Sequence, residues 1–255
     1  MEAPMPEHSA IVVIPTYNER ENLPLVCESV LLHTAGNAHI LVVDDNSPDG
    51  TGQLADALAR QHHQIHVLHR QKKEGLGRAY VAGFKHALQM GYPLIAQMDA
   101  DLSHDPTDLP LLFHNVRHAH VVIGSRYVPG GDVADWAQWR YVLSRFANLY
   151  VELATGLPVK DATSGYRCWR REVLEAIQLD TVRSNGYAFQ IEMAYRAYRL
   201  GFHIQEIPIV FTERRAGKSK LSKRVIWEAI WLPWKLRFSR TYNAPQPKQQ
   251  ILPPT

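Results

Sequence analysis

Along the first half of the chain, short β-branched apolar runs alternate with longer stretches whose apolar residues recur every three to four positions. The runs are AIVVIP (10–15), HILVVDD (39–45), IHVL (65–68), PLIAQMD (93–99) and HVVIGS (120–125). Between them lie ENLPLVCESVLLH (21–33), TGQLADALARQ (51–61) and GRAYVAGFKHALQM (77–90), each with helical periodicity. Strands alternating with helices predict βαβ units and a mostly parallel central sheet with flanking helices. In such sheets ligands collect beyond the carboxyl ends of the strands. Polar clusters stand at those predicted ends: PTYNE (15–19), DDNSPDGT (44–51), DADLSHDP (99–106) and GSRY (124–127).

From Arg126 the pattern changes. A Gly- and Pro-bearing loop, RYVPGGDVADW (126–136), leads to a helical stretch (139–156), an irregular DATSGYRCWRRE (161–172), a helix near 189–201 and a last strand, HIQEIPIVF (203–211). One domain is expected over 10–220, then a helix over 221–240 and a disordered Pro/Gln-rich tail over 241–255.

Composition narrows the function classes. At 255 residues and 45% hydrophobic, the chain is long enough for one large core. The two cysteines, Cys27 and Cys168, suit neither a zinc site nor a disulfide framework and read as buried thiols in a reducing compartment. A net charge of +3 gives no nucleic-acid footprint. The charge is uneven, however, with Lys and Arg concentrated in ERRAGKSKLSKR (213–224). No apolar leader precedes the first strand, and no segment reaches the roughly 18 to 20 apolar residues that cross a bilayer. The expectation is a protein neither exported by a standard signal nor integral to a membrane.

Candidate chemistry centres on QMDADLSHDPTDL (97–109), which holds four aspartates. On an extended strand end, residues i and i+2 point the same way, so Asp99 and Asp101 would share one face. Two carboxylates that close repel unless a cation lies between them, and an all-oxygen pair suits Mg²⁺ or Mn²⁺ completed by water and phosphate oxygens. A solvated acidic turn is the alternative. Asp105 and Asp108, flanking Pro106, read instead as helix-start residues. Asp44 and Asp45 either bond a nucleoside or form part of an acidic phosphoacceptor pocket, although a receiver domain would need about half this length. Arg70, Lys72 and Lys73, ahead of the glycine-opened helix at Gly75 and Gly77, suit a diphosphate by charge and free N–H groups. An exposed loop reads equally well, and the lone GxG is weak support for a dinucleotide.

Near the C-terminus, Trp227, Trp231, Trp234 and Phe238 fall at steps of four, three and four, one helical face. Lys220, Lys223, Arg224, Lys235, Arg237 and Arg240 surround it. A basic helix with an aromatic face suits the membrane interface; a helix docked on the core, kinked at Pro233, is the other reading.

Taken in order, VVIPTYNERENL, VVDDNSPDGT, GLGRAY, MDADLSHDP, GSRYVPGG, DATSGYR, NGYAFQIEMAYRA and RRAGKSKL resemble the family 2 glycosyltransferases of the polyprenol (dolichol) phosphate mannose synthase type, over about residues 10 to 225. The resemblance implies a GT-A fold, with Pro15, Tyr17, Glu19, Asp44 and Asp45 around the guanosine of GDP-mannose. Lys72, Gly77, Asp99, Ala100, Arg214 and Lys220 would complete the nucleotide-sugar site, and Asp99, Asp101 and Ser103 the Mg²⁺ or Mn²⁺ site. Some members carry a glutamine where Ser103 stands, so a weaker third contact follows. Arg126, Arg140 and Ser144 match positions that hold the polyprenyl phosphate, and Asp101 with Arg126 would carry catalysis. The implied reaction is inverting transfer of mannose from GDP-mannose to a polyprenyl phosphate. A sister transferase using UDP-glucose, or a nucleotide-sugar sensor, are the alternatives. The implied setting is the cytoplasmic face of a membrane, reached through the C-terminal aromatic helix or an integral-membrane partner subunit.

Overall fold

The computed structural model describes residues 10–213 and 223–238, with side chains of the second segment described from Trp231 onward. Arg214, Lys220, Arg240, the tail over 241–255 and the side chains of Lys223, Arg224 and Trp227 therefore lie outside the described residues.

The first βαβ units form as the alternation predicts: β1 (Ala10–Thr16), α1 (Leu23–His33), β2 (Ala38–Asp44), α2 (Thr51–Gln61), β3 (Ile65–His69), α3 (Leu76–Gln89) and β4 (Leu94–Gln97). A 3₁₀ turn at Pro106–Asp108 opens α4 (Leu109–Asn115), which returns to β5 (Val121–Ser125). The second half adds β6 (Asp132–Val133), α5 (Gln138–Thr155), β7 (Arg167–Arg170), α6 (Arg171–Ala176), α7 (Gly186–Arg199), β8 (Ile204–Pro208), β9 (Val210–Phe211) and α8 (Lys223–Phe238).

Seven strands make one sheet in the order β3-β2-β1-β4-β7-β5-β8, and β6 pairs with β9 beside it. All neighbours in the large sheet run parallel except β7, which is antiparallel to both β4 and β5. The uninterrupted apolar runs follow from burial on both faces. Ile11 and Val13 pack with Tyr80, Phe84 and Phe189 on one side, while Val12 and Ile14 pack with Leu23, Val26 and Leu109 on the other. Each such fully buried aliphatic side chain contributes about 1.5–3 kcal/mol. Helix α3 lies close because Gly83 has no side chain: a Cβ there would come within 2.4 Å of Val13 Cγ1.

Two expectations need correction. The segment 161–172, read as irregular, supplies a central strand, whose pattern two arginines, Arg167 and Arg170, interrupt at its ends. Arg167 is fully buried and donates to the carbonyls of Ser164, Ala162 and Gln190. Burial lowers its pKa to about 9, with the Asp161 and Glu206 charges opposing the shift. The apolar run 93–99 also stops short of the aspartates, since β4 ends at Gln97. The alternation argument that put Asp99 and Asp101 on one face of a strand does not apply, because both stand in the bend that follows.

Candidate active site

Parallel strands bring their carboxyl ends to one edge, so the segments after β1, β2, β4, β5 and β8 all emerge there. Strand β7 starts at the same edge, with Arg167 opposite both Gln97 and Ile123. The strand order reverses at β1, which lies between β2 and β4, and in open α/β sheets ligands bind beyond the strand ends at such a switch point. Pro15, Tyr17 and Glu19 border it on one side, and Asp99, Ala100 and Asp101 on the other.

On the β1–β2 side the polar groups hold one another. Asp44 Oδ1 accepts from the Thr16 and Ser47 hydroxyls, and its Oδ2 from the Ser47 N–H at 3.2 Å. The Glu19 N–H donates to Thr51 Oγ1 at 3.0 Å, and the Asn18 N–H to Ser47 Oγ at 3.1 Å. Asp44 therefore ties the 16–19 loop to the turn after β2. Asp45 pairs with Arg70. Burial raises its pKa above the usual carboxylate value while the Arg70 charge pulls it back. Arg70 also bonds Glu74 at 2.8 Å, so it is committed to carboxylates rather than open to a diphosphate. Lys72 is exposed beside Glu74, and Lys73 Nζ lies 3.5 Å above the Tyr17 ring. Helix α3 begins after Gly75, at φ +103°, with no side-chain cap, and Gly77 is buried against the Ser184 carbonyl.

In the bend after β4, Asp99 Oδ1 accepts from the Tyr80 hydroxyl at 2.9 Å, and the Asp99 N–H donates to His104 Nδ1 at 3.2 Å. Burial, reinforced by the Asp99 and Asp101 charges, keeps the Tyr80 phenol protonated well above its ordinary pKa, so it remains a donor. Asp101 is buried, and its Oδ1 accepts from both the Ser103 hydroxyl and the Ser103 N–H. Ser103 thus spends its proton on orienting Asp101. The loop is pinned from outside, where Thr212 donates through N to the Ser103 carbonyl and through Oγ1 to that of Leu102, each at 3.3 Å. Asp105 Oδ1 accepts from the Thr107 N–H at 2.9 Å as the expected helix-start contact. Burial and the neighbouring Asp105 charge raise the Asp108 pKa to about 6.

Among the described residues no cluster of three His, Cys, Asp or Glu could hold a metal by itself. Asp99, Asp101 and the Ser103 hydroxyl are hard oxygen donors. They fit a Mg²⁺ or Mn²⁺ ion that completes its sphere with water and ligand oxygens.

Arg126, after β5, is 5% exposed and held by Asp161, which is 0% exposed. Its Nε and Nη2 donate to the two Asp161 oxygens at 2.7 Å each, and Nη2 also to Thr163 Oγ1 at 2.9 Å. Burial opposes charge on both groups, but each partner overrides it. Arg126 stays protonated above the ordinary arginine range, and Asp161 stays ionised below the usual carboxylate range. Arg126 is therefore not the open cation that its motif suggests, and Nη1 is its one nitrogen without a hydrogen bond among the described residues. The Tyr127, Trp136 and Phe211 rings enclose its guanidinium at 5.2–5.5 Å. Arg140 stacks on Trp136 at 4.0 Å and bonds Glu213, while the Tyr127 hydroxyl donates to Ser144 Oγ at 2.6 Å. The structure thus brings Arg126, Arg140 and Ser144 together around two aromatic rings that sequence reasoning did not single out.

Several further residues were missed. Trp136 Nε1 is buried with no hydrogen-bond partner among the described residues, on a ring that meets Phe211 edge-on. Asn185 Oδ1 is likewise buried and unpartnered among the described residues, where the N-termini of α3 and α7 converge, and a Cβ on Gly75 would lie 2.7 Å from it. Asp161 and Asn185 belong to quoted motifs, DATSGYR and NGYAFQIEMAYRA, so a signal for them existed. Trp136, at the end of a Gly/Pro loop, carried none.

Residues 11–178 match the family described as "Glycosyl transferase family 2". The chain is 51% identical over 236 residues to the polyprenol monophosphomannose synthase of Mycolicibacterium smegmatis, covering 91% of this chain and 89% of that one. It is 48% identical over 220 residues to the undecaprenyl-phosphate mannosyltransferase of Micrococcus luteus, covering 86% and 90%. Among solved structures, glucosyl-3-phosphoglycerate synthase from Mycobacterium tuberculosis, in complex with Mn²⁺, UDP and phosphoglyceric acid, superposes with a TM-score of 0.66 at 19% identity, covering 89% of this chain and 78% of that one. The shared architecture is the GT-A fold.

Proposed function

Because the chain belongs to glycosyl transferase family 2, we propose that it transfers mannose from GDP-mannose to a polyprenyl phosphate with inversion, giving a polyprenyl β-mannosyl phosphate. The names of the two relatives that match it along nearly their whole length support the polyprenyl phosphate acceptor and the mannosyl group. The observation that carries the reading is a cluster of donors: the Arg126 and Arg140 guanidinium groups lie 5.5 and 4.0 Å from the Trp136 ring centroid, beside the buried Trp136 Nε1, a set that would suit one phosphate.

The donor would bind at the switch point between β1 and β4. Pro15, Tyr17 and Glu19 would line the guanosine, with Asp44 and Asp45 fixing that wall. Lys72, the N–H groups at Gly77 and the edge at Ala100 would meet the diphosphate, joined by Arg214 and Lys220. Asp99 and Asp101 would hold Mg²⁺ or Mn²⁺, oriented by Tyr80 and Ser103; the tuberculosis synthase has been solved with Mn²⁺ and with Mg²⁺. When bound, such an ion neutralises charge developing on the leaving diphosphate.

The acceptor phosphate oxygen is already ionised at neutral pH, so the attack needs no strong general base. Its lone pair forms the bond to the anomeric carbon as the bond to the diphosphate oxygen breaks on the opposite face. Catalysis then rests on positioning two anionic substrates and on excluding water. Arg126, kept charged by Asp161, and Arg140 would align the attacking phosphate, and Ser144 would bond it. No helix among the described residues is long and apolar enough to cross a membrane, so the lipid would be met at a membrane surface. The face met would be the cytoplasmic one, and an integral-membrane partner subunit would serve the same end. The one-bond C1–H1 coupling of the isolated mannosyl phosphate tests the stereochemistry. A β value is expected, and an α value rules out single displacement.

A further inference from the structure

The motifs DATSGYR and NGYAFQIEMAYRA meet in a buried chain of hydrogen bonds. The indole Nε1 of Trp169, in β7, donates to Gln97 Oε1 at 2.9 Å. Gln97, the last residue of β4, donates through Nε2 to the Gly165 carbonyl at 3.0 Å and to Gln190 Oε1 at 2.8 Å. An indole nitrogen can only donate and a carbonyl can only accept, so the two amides have one consistent orientation. Gln190, in α7, turns its oxygen to Gln97 and its Nε2 away from it. Gln97 and Gln190 are 0% and 2% exposed, so the surrounding core holds both amides in place. Gln190 Nε2 has no hydrogen bond among the described residues.

That nitrogen faces Gly165. A Cβ built there would lie 3.5 Å from Gln190 Nε2, from Asp99 Oδ2 and from His104 Cε1. A donor and a carboxylate acceptor therefore stand within twice that distance of each other, around a position that carries no side chain, and no hydrogen bond joins them. Their place in the fold matters. Gly165 leads into β7, which lies between β4 and β5. The carboxylate bend follows β4 and Arg126 follows β5, so Gly165 stands between the groups assigned to the donor diphosphate and those assigned to the acceptor phosphate.

We propose that Gln190 is a specificity-determining residue whose amide N–H, together with Asp99 Oδ2, holds one hydroxyl group of the hexose being transferred. The assignment rests on the nucleotide-sugar reading given above. A hydroxyl serves both neighbours, accepting from Nε2 and donating to Oδ2, whose lone pairs suffice for a hydrogen bond beside a metal ion. A phosphate oxygen could use only Nε2, and the three atoms nearest the Gly165 position include no cation to balance it against Asp99. A site that pairs a hydroxyl in this way rejects a sugar that lacks it, because its own polar groups are then stranded.

The test is isothermal titration calorimetry of the full chain in Mg²⁺ with GDP-mannose and GDP, and with UDP-glucose and UDP. Gln190→Met keeps the length of the side chain and removes the donor. Gly165→Ala leaves the chain of amides intact, and its Cβ, in ordinary contact, fills the space before Nε2. Each variant is expected to bind the nucleotide sugar about tenfold more weakly than the unmodified protein does, with the matching nucleoside diphosphate unaffected. GDP-mannose lacking in turn the hydroxyl at C2, C3, C4 or C6 identifies the group. One analogue should bind the unmodified protein about tenfold more weakly than GDP-mannose, yet bind Gln190→Met as tightly as GDP-mannose does. Undiminished sugar-nucleotide binding by Gln190→Met, equal weakening of sugar nucleotide and diphosphate, or the same losses across the analogues in both proteins overturns the proposal and leaves the donor reading standing. Failure of the unmodified protein to bind either nucleotide sugar overturns the donor reading and the proposal with it. Binding of UDP-glucose alone, weakened by the variants relative to UDP, corrects the donor and upholds the role of Gln190.

Discussion

Tyr80, in α3, donates a 2.9 Å hydrogen bond to Asp99 Oδ1 from a side chain with no exposed surface. Its ring is stacked on Phe189 of α7 at a centroid distance of 5.8 Å, so the hydroxyl cannot swing away without disturbing the core. The bond fixes one carboxylate oxygen and thereby aims the other. Partners of this kind set ligand geometry, and their loss typically costs about 10–100-fold in metal affinity. Tyr80→Phe should therefore weaken Mn²⁺ binding, read by electron paramagnetic resonance, by about tenfold with the fold retained. Unchanged Mn²⁺ affinity would remove Tyr80 from the site.

Asp101 stands in the same bend, with its Oδ1 held by Ser103. Asp101→Asn keeps the shape but removes one of two close negative charges. Turnover is expected to fall by at least about a hundredfold while the thermal midpoint stays within a few degrees. Retained turnover would refute a metal held by this residue.

The parallel framework and the carboxylate bend are legible in the sequence because backbone periodicity and strand-end clustering are local signals. Strand β7 is not, because its pattern holds Arg167, whose charge is accommodated only by carbonyls brought in from Ala162, Ser164 and Gln190. The sequence singles out Arg126 through GSRY, but not its partner. The contact with Asp161 spans 35 positions and depends on β7 lying between β4 and β5. The apolar residues of α5 carry helical periodicity that reads the same whether they face a core or a solvent boundary. Only the packing shows that Asn148 and Val151, rather than Leu149 and Leu153, face inward.

The Arg126–Asp161 pair sets a stability prediction. Removing one member of a buried pair strands the other, at a cost of about 3–5 kcal/mol. Asp161→Asn should lower the unfolding free energy by that amount in urea titration. A loss under about 1 kcal/mol would mean the pair is solvated.

A substitution at Trp136 would separate acceptor from donor binding. Its unpartnered Nε1 would gain a hydrogen bond to the acceptor phosphate, worth about 1.5–3 kcal/mol to a charged group. Trp136→Phe should raise KM for polyprenyl phosphate by about tenfold or more and leave the Kd for GDP-mannose unchanged. Equal weakening of both would count against an acceptor role.

Asp108 sets a pH dependence. Its folded pKa is raised from 3.8 to about 6, so the folded state holds a proton that the unfolded chain releases between those values. Stability from this group is thus lost as pH rises through that window. Asp108→Asn should be increasingly more stable than the unmodified protein as pH climbs from 4 to 7 in urea melts. A constant difference across that range would show that the carboxyl is not perturbed.

The central claim is tested most directly by incubating the pure protein with polyprenyl phosphate and, in turn, labelled GDP-mannose, UDP-glucose or UDP-galactose, with and without EDTA, then extracting the lipid. Label from GDP-mannose alone, abolished by EDTA, is the predicted result. Label carried into lipid from a UDP-sugar but not from GDP-mannose would contradict it.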